Sequence, residues 1–172
     1  MRAINVAGHA IVKMDELSSA FVSAGCKDVK TVIQSGNVLF GSAGRDPSAV
    51  VEKVKRTLHK SLGSEVTMMI RRLSEIERLV ETDPFKDFEA DSDAKFYVAF
   101  LSERPRRKPS LPLLSDKEAL EAFAIQDREA FIVSRRKANG FYGFPNNFIE
   151  SELGVQATSR NWSTIGRIVA LS

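Results

Sequence analysis

An α+β fold, with antiparallel sheets covered by helices, is what this sequence predicts, and three observations carry that prediction. Two apolar runs flank Ser35-Gly36-Asn37 within Thr31–Phe40, the composition of a tight reversal between two strands. Apolar residues recur at helical spacing on either side of that hairpin. The same order of strand, helix, hairpin and helix then returns in the second half, without a residue-level repeat. At 172 residues the chain makes one compact domain or two small subdomains, and 43% hydrophobic residues with 11 phenylalanines supply a core.

In the first half, Met1–Ile4 reads as the tail of a strand and Asn5–Ile11 as a loop. Met14–Ala24 predicts a helix, because Met14, Leu17, Ala20, Phe21 and Ala24 share one face, and Gly25 supplies its left-handed cap. Val29–Gln34 and Val38–Phe40 form the hairpin. A second helix begins with Asp46 as N-cap and Pro47 at the first helical position. Val50, Val51, Val54, Leu58 and Leu62 make its apolar stripe, and Gly63 stops it. Glu65–Arg71 reads as a further strand.

In the second half, Ser74-Glu75-Ile76-Glu77 is a capping-box pattern opening a helix through Val80, broken by Asp83-Pro84-Phe85. Lys95–Leu101 is a strongly apolar strand. Glu103–Pro112, with three prolines and four basic residues, reads as an exposed, extended loop. Ser115-Asp116-Lys117-Glu118 is a second capping box opening a short helix. Ala122–Gln126 and Ala130–Ser134 make a hairpin, Asn139-Gly140 and Gly143 mark turns, and Asn146–Leu153 and Ser159–Leu171 close the chain as helices. The order matches two ferredoxin-like, βαββαβ-type subdomains, 1–72 and 73–172, the first with its opening strand truncated.

The charge balance, 25 basic against 22 acidic residues, is mild; it permits nucleic acid as a partner without requiring it. A single cysteine, Cys26, excludes an internal disulfide and fits a cytoplasmic protein. The longest apolar run, Phe96–Leu101, is far short of a membrane span.

Three motifs in order, Arg2–Gly8, Val32–Phe40 and Ala157–Thr164, with Asp83-Pro84-Phe85 and Asn147–Glu150 in support, resemble the bacterial family catalogued as domain of unknown function 1697. The resemblance extends over essentially the whole chain. It implies an α+β fold of two ferredoxin-like units, and no activity, cofactor or catalytic residue. Members of that family carry an apolar strand before the first motif, whereas Met1 here directly precedes Arg2. The expectation is that the start lies upstream, or that the exposed sheet edge is covered by self-association. Ala3, where the family has Gly, and Gly166, inside the expected last helix, are further departures; the latter costs about 1 kcal/mol relative to Ala.

No catalytic set, metal-ligand spacing or cofactor loop is present in the sequence. His9 has no evident partner, His59 lies on the polar side of a Lys-rich helix, and Cys26 follows a helix C-terminus, where a thiolate is disfavoured. The expected function is that of a soluble, non-enzymatic binding protein with a cleft between the halves for a small polar or anionic ligand. Its candidate residues are Asn5, Asn37, Arg160, Asn161 and Thr164; Arg160, Thr164 and Arg167 recur at i, i+4 and i+7 and would share a helix face. Gln34 and Ser35 would join Asn5 and Asn37. An alternative is a nucleic-acid-binding module using Arg104, Arg106, Arg107 and Lys108 with Arg135, Arg136 and Lys137. Lys137–Phe144 looks like an RNA-recognition strand only superficially, since Pro145 interrupts it. A second alternative is an enzyme on a small anionic substrate.

Overall fold

The computed structural model describes residues 13–32, 36–42, 47–62, 67–88 and 93–172. The expected strand at Met1–Ile4, the loop after it, the Asp46 cap and the Gly63 stop lie outside these residues. The chain divides into two compact units, Met1–Ile70 with Leu171–Ser172, and Arg71–Ala170. Five helices and seven strands are assigned among the described residues, and every strand pairing is antiparallel.

In the first unit, helix α1 (Met14–Ser23) precedes strands β1 (Lys27–Val32) and β2 (Asn37–Gly41), and helix α2 (Pro47–Leu62) follows. Gly25, at φ +92°, turns the chain out of α1 as its C-terminal position requires. Leu17, Ala20 and Phe21 of α1 meet Val54 and Leu58 of α2 in one buried cluster, with Val29, Val38 and Phe40 of the hairpin packed against it. Phe21 and Phe40 bring their ring centroids to 4.9 Å. The strand expected at Glu65–Arg71 does not appear over 67–71. Met68 instead contributes its side chain to the helix–hairpin core.

The second unit contains helix α3 (Leu73–Thr82), then strands β3 (Lys95–Leu101), β4 (Leu113–Ser115), β5 (Leu120–Gln126) and β6 (Glu129–Ser134), helix α4 (Pro145–Leu153), strand β7 (Ala157–Asn161) and helix α5 (Trp162–Ala170). The five strands make one sheet in the order β4-β5-β6-β3-β7. Strand period and register divide its side chains between two faces. On one face Ala99 and Leu101 of β3, Ala130 and Ile132 of β6, and Ala157 of β7 pack with Phe148 and Ile149 of α4. On the other, Phe96 and Val98 of β3 lie beside Val133 and Phe131 of β6, and Thr158 and Arg160 of β7.

That second face is closed by aromatic rings. Phe85 follows α3 and is held by Asp83, whose left-handed backbone (φ 37°) ends the helix and whose Oδ1 accepts the Phe85 N–H at 3.1 Å. The Phe85 ring meets Phe96, Phe123, Phe131 and Trp162 at centroid distances of 4.8, 5.6, 6.0 and 5.2 Å. Phe88 adds contacts to Phe96 and Phe123. Arg71 braces the far end: its Nε pairs with the Glu129 carboxylate, and Nη2 donates to the carbonyls of Leu101 and Arg128 at 3.1 and 2.8 Å. Its guanidinium also lies over the Phe100 ring.

In the second unit four elements differ from expectation. The last helix begins at Trp162, and Ala157–Asn161 is a strand instead. Asp116–Ala119 makes a single turn rather than a helix, because Ala119 is left-handed (φ 52°) and its carbonyl accepts the Arg135 N–H as strand pairing begins. Leu113–Ser115, running from the end of the expected loop to the expected cap Ser115, forms a short edge strand on β5. At α3, Glu75 closes back on the Arg72 N–H at 2.7 Å, two residues before the expected box.

Two substitutions test this packing. Phe85→Ala removes the ring common to four others and should destabilise the second unit by about 3–5 kcal/mol, read as a lowered urea midpoint. Gly166→Ala should stabilise it by about 0.5–1 kcal/mol, because a Cβ there meets nothing within 4 Å in the middle of α5. Thermal unfolding checks the sign.

Candidate functional site

Strand β7 and its flanks hold three of the expected ligand residues. The strand ends the sheet, so one row of its N–H groups faces away from β3. Side chains of α4 take two of those donors. Asn146 Oδ1 accepts the Ser159 N–H at 2.8 Å, and Glu150 Oε1 accepts the Ala157 N–H at 2.9 Å. Pro145 at the first turn of α4 starts the helix where Asn146 and Glu150, four residues apart, both reach that edge.

Arg160 points to the aromatic face and is only 6% exposed. Its Nη1 donates to Thr158 Oγ1 at 2.8 Å and to the Ser159 carbonyl at 2.9 Å. Burial pulls its pKa down to about 10, so the guanidinium is still charged at neutral pH. Asn161 caps α5: its Oδ1 accepts the Ser163 N–H at 3.0 Å and the Ser163 hydroxyl at 2.8 Å. It also hydrogen-bonds Tyr97, the residue opposite it on β3. Arg160 thus belongs to the strand, and the helical face expected for Arg160, Thr164 and Arg167 does not form; Thr164 and Arg167 lie on α5 without it. The hydroxyl of Ser159, on the α4 side of β7, is buried without a hydrogen-bond partner among the described residues.

Asn37 lies in the first unit. It pairs with Val32 across the hairpin, and its Nδ2 donates to the Val32 carbonyl at 3.2 Å. Gly36, at φ +74°, makes the preceding turn. Asn5, Gln34, Ser35 and His9 lie outside the described residues. Cys26 is buried, which pushes its thiol pKa up and leaves it a poor nucleophile. No group of three or more His, Cys, Asp or Glu among the described residues is placed to hold a metal ion. No described helix is long and apolar enough to cross a membrane.

The two basic runs occupy opposite ends of the sheet. Arg104 pairs with Asp127 beyond the C-terminal end of β3, whereas Arg135–Lys137 follow Ser134, which pairs with Lys95 at the other end. Arg135 is bonded to Glu121, Arg136 to Asp93 and Lys137 to Glu118. Arg106, Arg107 and Lys108 are exposed and have no ion-pair partner among the described residues. Among the described residues, α4 packs on one face of the sheet and the Phe85 cluster on the other.

Sequence reasoning set Lys137–Phe144 aside because Pro145 interrupts it, and with it a set of residues at the Lys95 end. The Tyr142 hydroxyl donates to Asp93 Oδ1 at 2.6 Å, and Lys95 Nζ lies 3.9 Å from the Tyr142 ring centroid. Phe141 and Phe144, on either side, are 72% and 50% exposed. The signal was present in Phe141-Tyr142-Gly143-Phe144 directly after the Asn139-Gly140 turn.

The hydrogen bond to Asp93 raises the Tyr142 pKa, and burial raises that of Tyr97. A phenol raised on folding contributes stability that is present below its ordinary value of 10 and is lost as pH rises through the raised one. Spectrophotometric titration should therefore show both tyrosinates forming above pH 10. Asp93→Ala should move Tyr142 down towards the ordinary value and leave Tyr97 in place.

The sequence model of a family described as protein of unknown function (DUF1697) matches residues 1–131, so the motifs at Asn147–Glu150 and Ala157–Thr164 lie beyond the matched stretch. No curated protein and no solved structure matches the chain.

Proposed function

Because the chain belongs to the DUF1697 family, whose function is unknown, we propose its role from geometry and chemistry: a non-enzymatic binding protein for a polyanionic partner, engaged through the loop 105–109. The carrying observation is the contrast among its basic residues. Arg104, Arg135, Arg136 and Lys137 are each matched by a carboxylate within the unit, while Arg106, Arg107 and Lys108 are exposed and unmatched among the described residues. Pro105 and Pro109 bound these three and favour an extended backbone of about 3 Å per residue. Such a loop spreads its charges along a line, which suits the regularly spaced phosphates of a nucleic acid better than a compact anion.

The small-ligand reading loses support at its own residues. Asn161 and Asn37 are occupied by a helix cap and a hairpin turn, and Arg160 is buried within its strand. The second unit fits a ferredoxin-like half in strand order: β3 is central, β6 and β7 flank it, and β5 lies beyond β6. In this reading the loop 102–112 and β4 replace the first crossover helix, which is why the basic loop is left exposed.

The test is the salt dependence of oligonucleotide binding by fluorescence anisotropy. Three phosphate contacts to a single strand contribute a slope of about −2 in log K against log salt. Replacing Arg106, Arg107 and Lys108 together with Gln should weaken binding and reduce the slope by about that amount. An unchanged slope would refute the loop as the contact. Arg135→Gln, at an ion-paired site, is the control expected to change it less.

A further inference from the structure

The segment 134–144 is braced at nearly every position yet leaves two phenylalanine rings in solvent. Arg136 and Tyr142 form a β-bridge, the Lys137 N–H donates to the Phe141 carbonyl at 2.8 Å, and the Gly140 N–H donates to the Lys137 carbonyl at 2.8 Å. Asn139 Oδ1 accepts the Phe141 N–H at 3.1 Å, and the Ser134 hydroxyl donates to the Gly143 carbonyl at 3.0 Å. Gly143 is fixed in identity as well as position, because a Cβ there would lie 2.1 Å from the Glu118 carbonyl oxygen. The Tyr142 hydroxyl is bound to Asp93, and the Phe144 ring rests edge-on against Tyr97 with centroids 6.0 Å apart. Phe141 has no ring partner among the described residues. A loop held this firmly loses little conformational entropy on binding.

Lys95 Nζ lies over the ring of Tyr142, which stands between the two phenylalanines in sequence, and Arg136 pairs with Tyr142 across the bridge. Asp93 is engaged by the Tyr142 hydroxyl and Arg136, and Glu118, whose backbone lies against Gly143, pairs with Lys137. Exposed aromatic rings beside cations are the pairing that stacks unpaired bases while holding their phosphates. Two rings cannot supply the roughly 800 Å² per partner of a stable protein interface. The bases of a duplex are already stacked and paired, and so are not available to them.

We propose that Phe141 and Phe144 form a stacking platform for the unpaired bases of a single-stranded nucleic acid, with Lys95, over the intervening Tyr142, meeting its phosphates. This rests on the reading of the loop 105–109 as a phosphate contact. It adds a second contact at the other end of the sheet, about 20 Å away by the length of β3, so a strand touching both spans several nucleotides.

The experiment compares an oligothymidine of about 20 nucleotides with an abasic phosphodiester of the same length, by anisotropy, against the full chain and its Phe141→Ala, Phe144→Ala and double variants. Phe141→Ala alone keeps the test valid if loss of Phe144 disturbs Tyr97. The expected result is a roughly tenfold loss of oligothymidine affinity for each ring removed, no loss towards the abasic strand, and an unchanged salt slope. Wild-type binding that survives both substitutions overturns the platform and leaves the loop reading intact. Absence of wild-type binding to either strand overturns both. A chain that self-associates through these rings, shown by a dimer in sedimentation that Phe141→Ala disperses, also overturns the platform.

Discussion

The second unit depends on the Phe85 ring. It meets an aromatic side chain from each of β3, β5 and β6 and the first residue of α5, so one side chain registers the sheet against the segment that covers it. Its position follows from Asp83, which ends α3 in a left-handed conformation and then accepts the Phe85 N–H. Proline at the intervening position narrows the backbone choices further. A three-residue motif thus sets both where a helix stops and where the core begins.

The segments with the most distinctive composition turn out to be joints of the fold. Asp83-Pro84-Phe85 and Arg160-Asn161-Trp162 meet where Phe85 contacts Trp162. Glu150, in Asn147-Phe148-Ile149-Glu150, reaches the backbone of β7. Polar residues at such joints satisfy buried backbone groups, which makes them resemble ligand-binding residues when read in isolation. Arg71 is the extreme case: a nearly enclosed guanidinium that ties a carboxylate and two carbonyls at one end of the sheet.

Where the side-chain period was clean, the sequence was legible. Lys95–Leu101 forms the strand its apolar run predicts, α1 keeps its 3.6-residue stripe, and the hairpin of β5 and β6 falls close to its expected bounds. Strand β7 was not legible, because Thr158, Ser159 and Arg160 are all buried and polar, so neither period shows. The neighbouring helix then absorbed it by pattern. Asn and Arg were chosen as candidates for their polarity, while Phe141 and Phe144 were set aside because Pro145 interrupts their strand; their exposure is what the sequence does not show.

The occupied edge of β7 has a consequence for assembly. With the Ala157 and Ser159 donors taken by α4, that end of the sheet offers a poor template to another strand. The opposite end is β4, three residues long, with Leu114 62% exposed. Sheet extension between molecules is therefore directional. Two copies joined through β4 would each present a β7 end that does not propagate. Through this sheet, such an association would close at a two-fold pair.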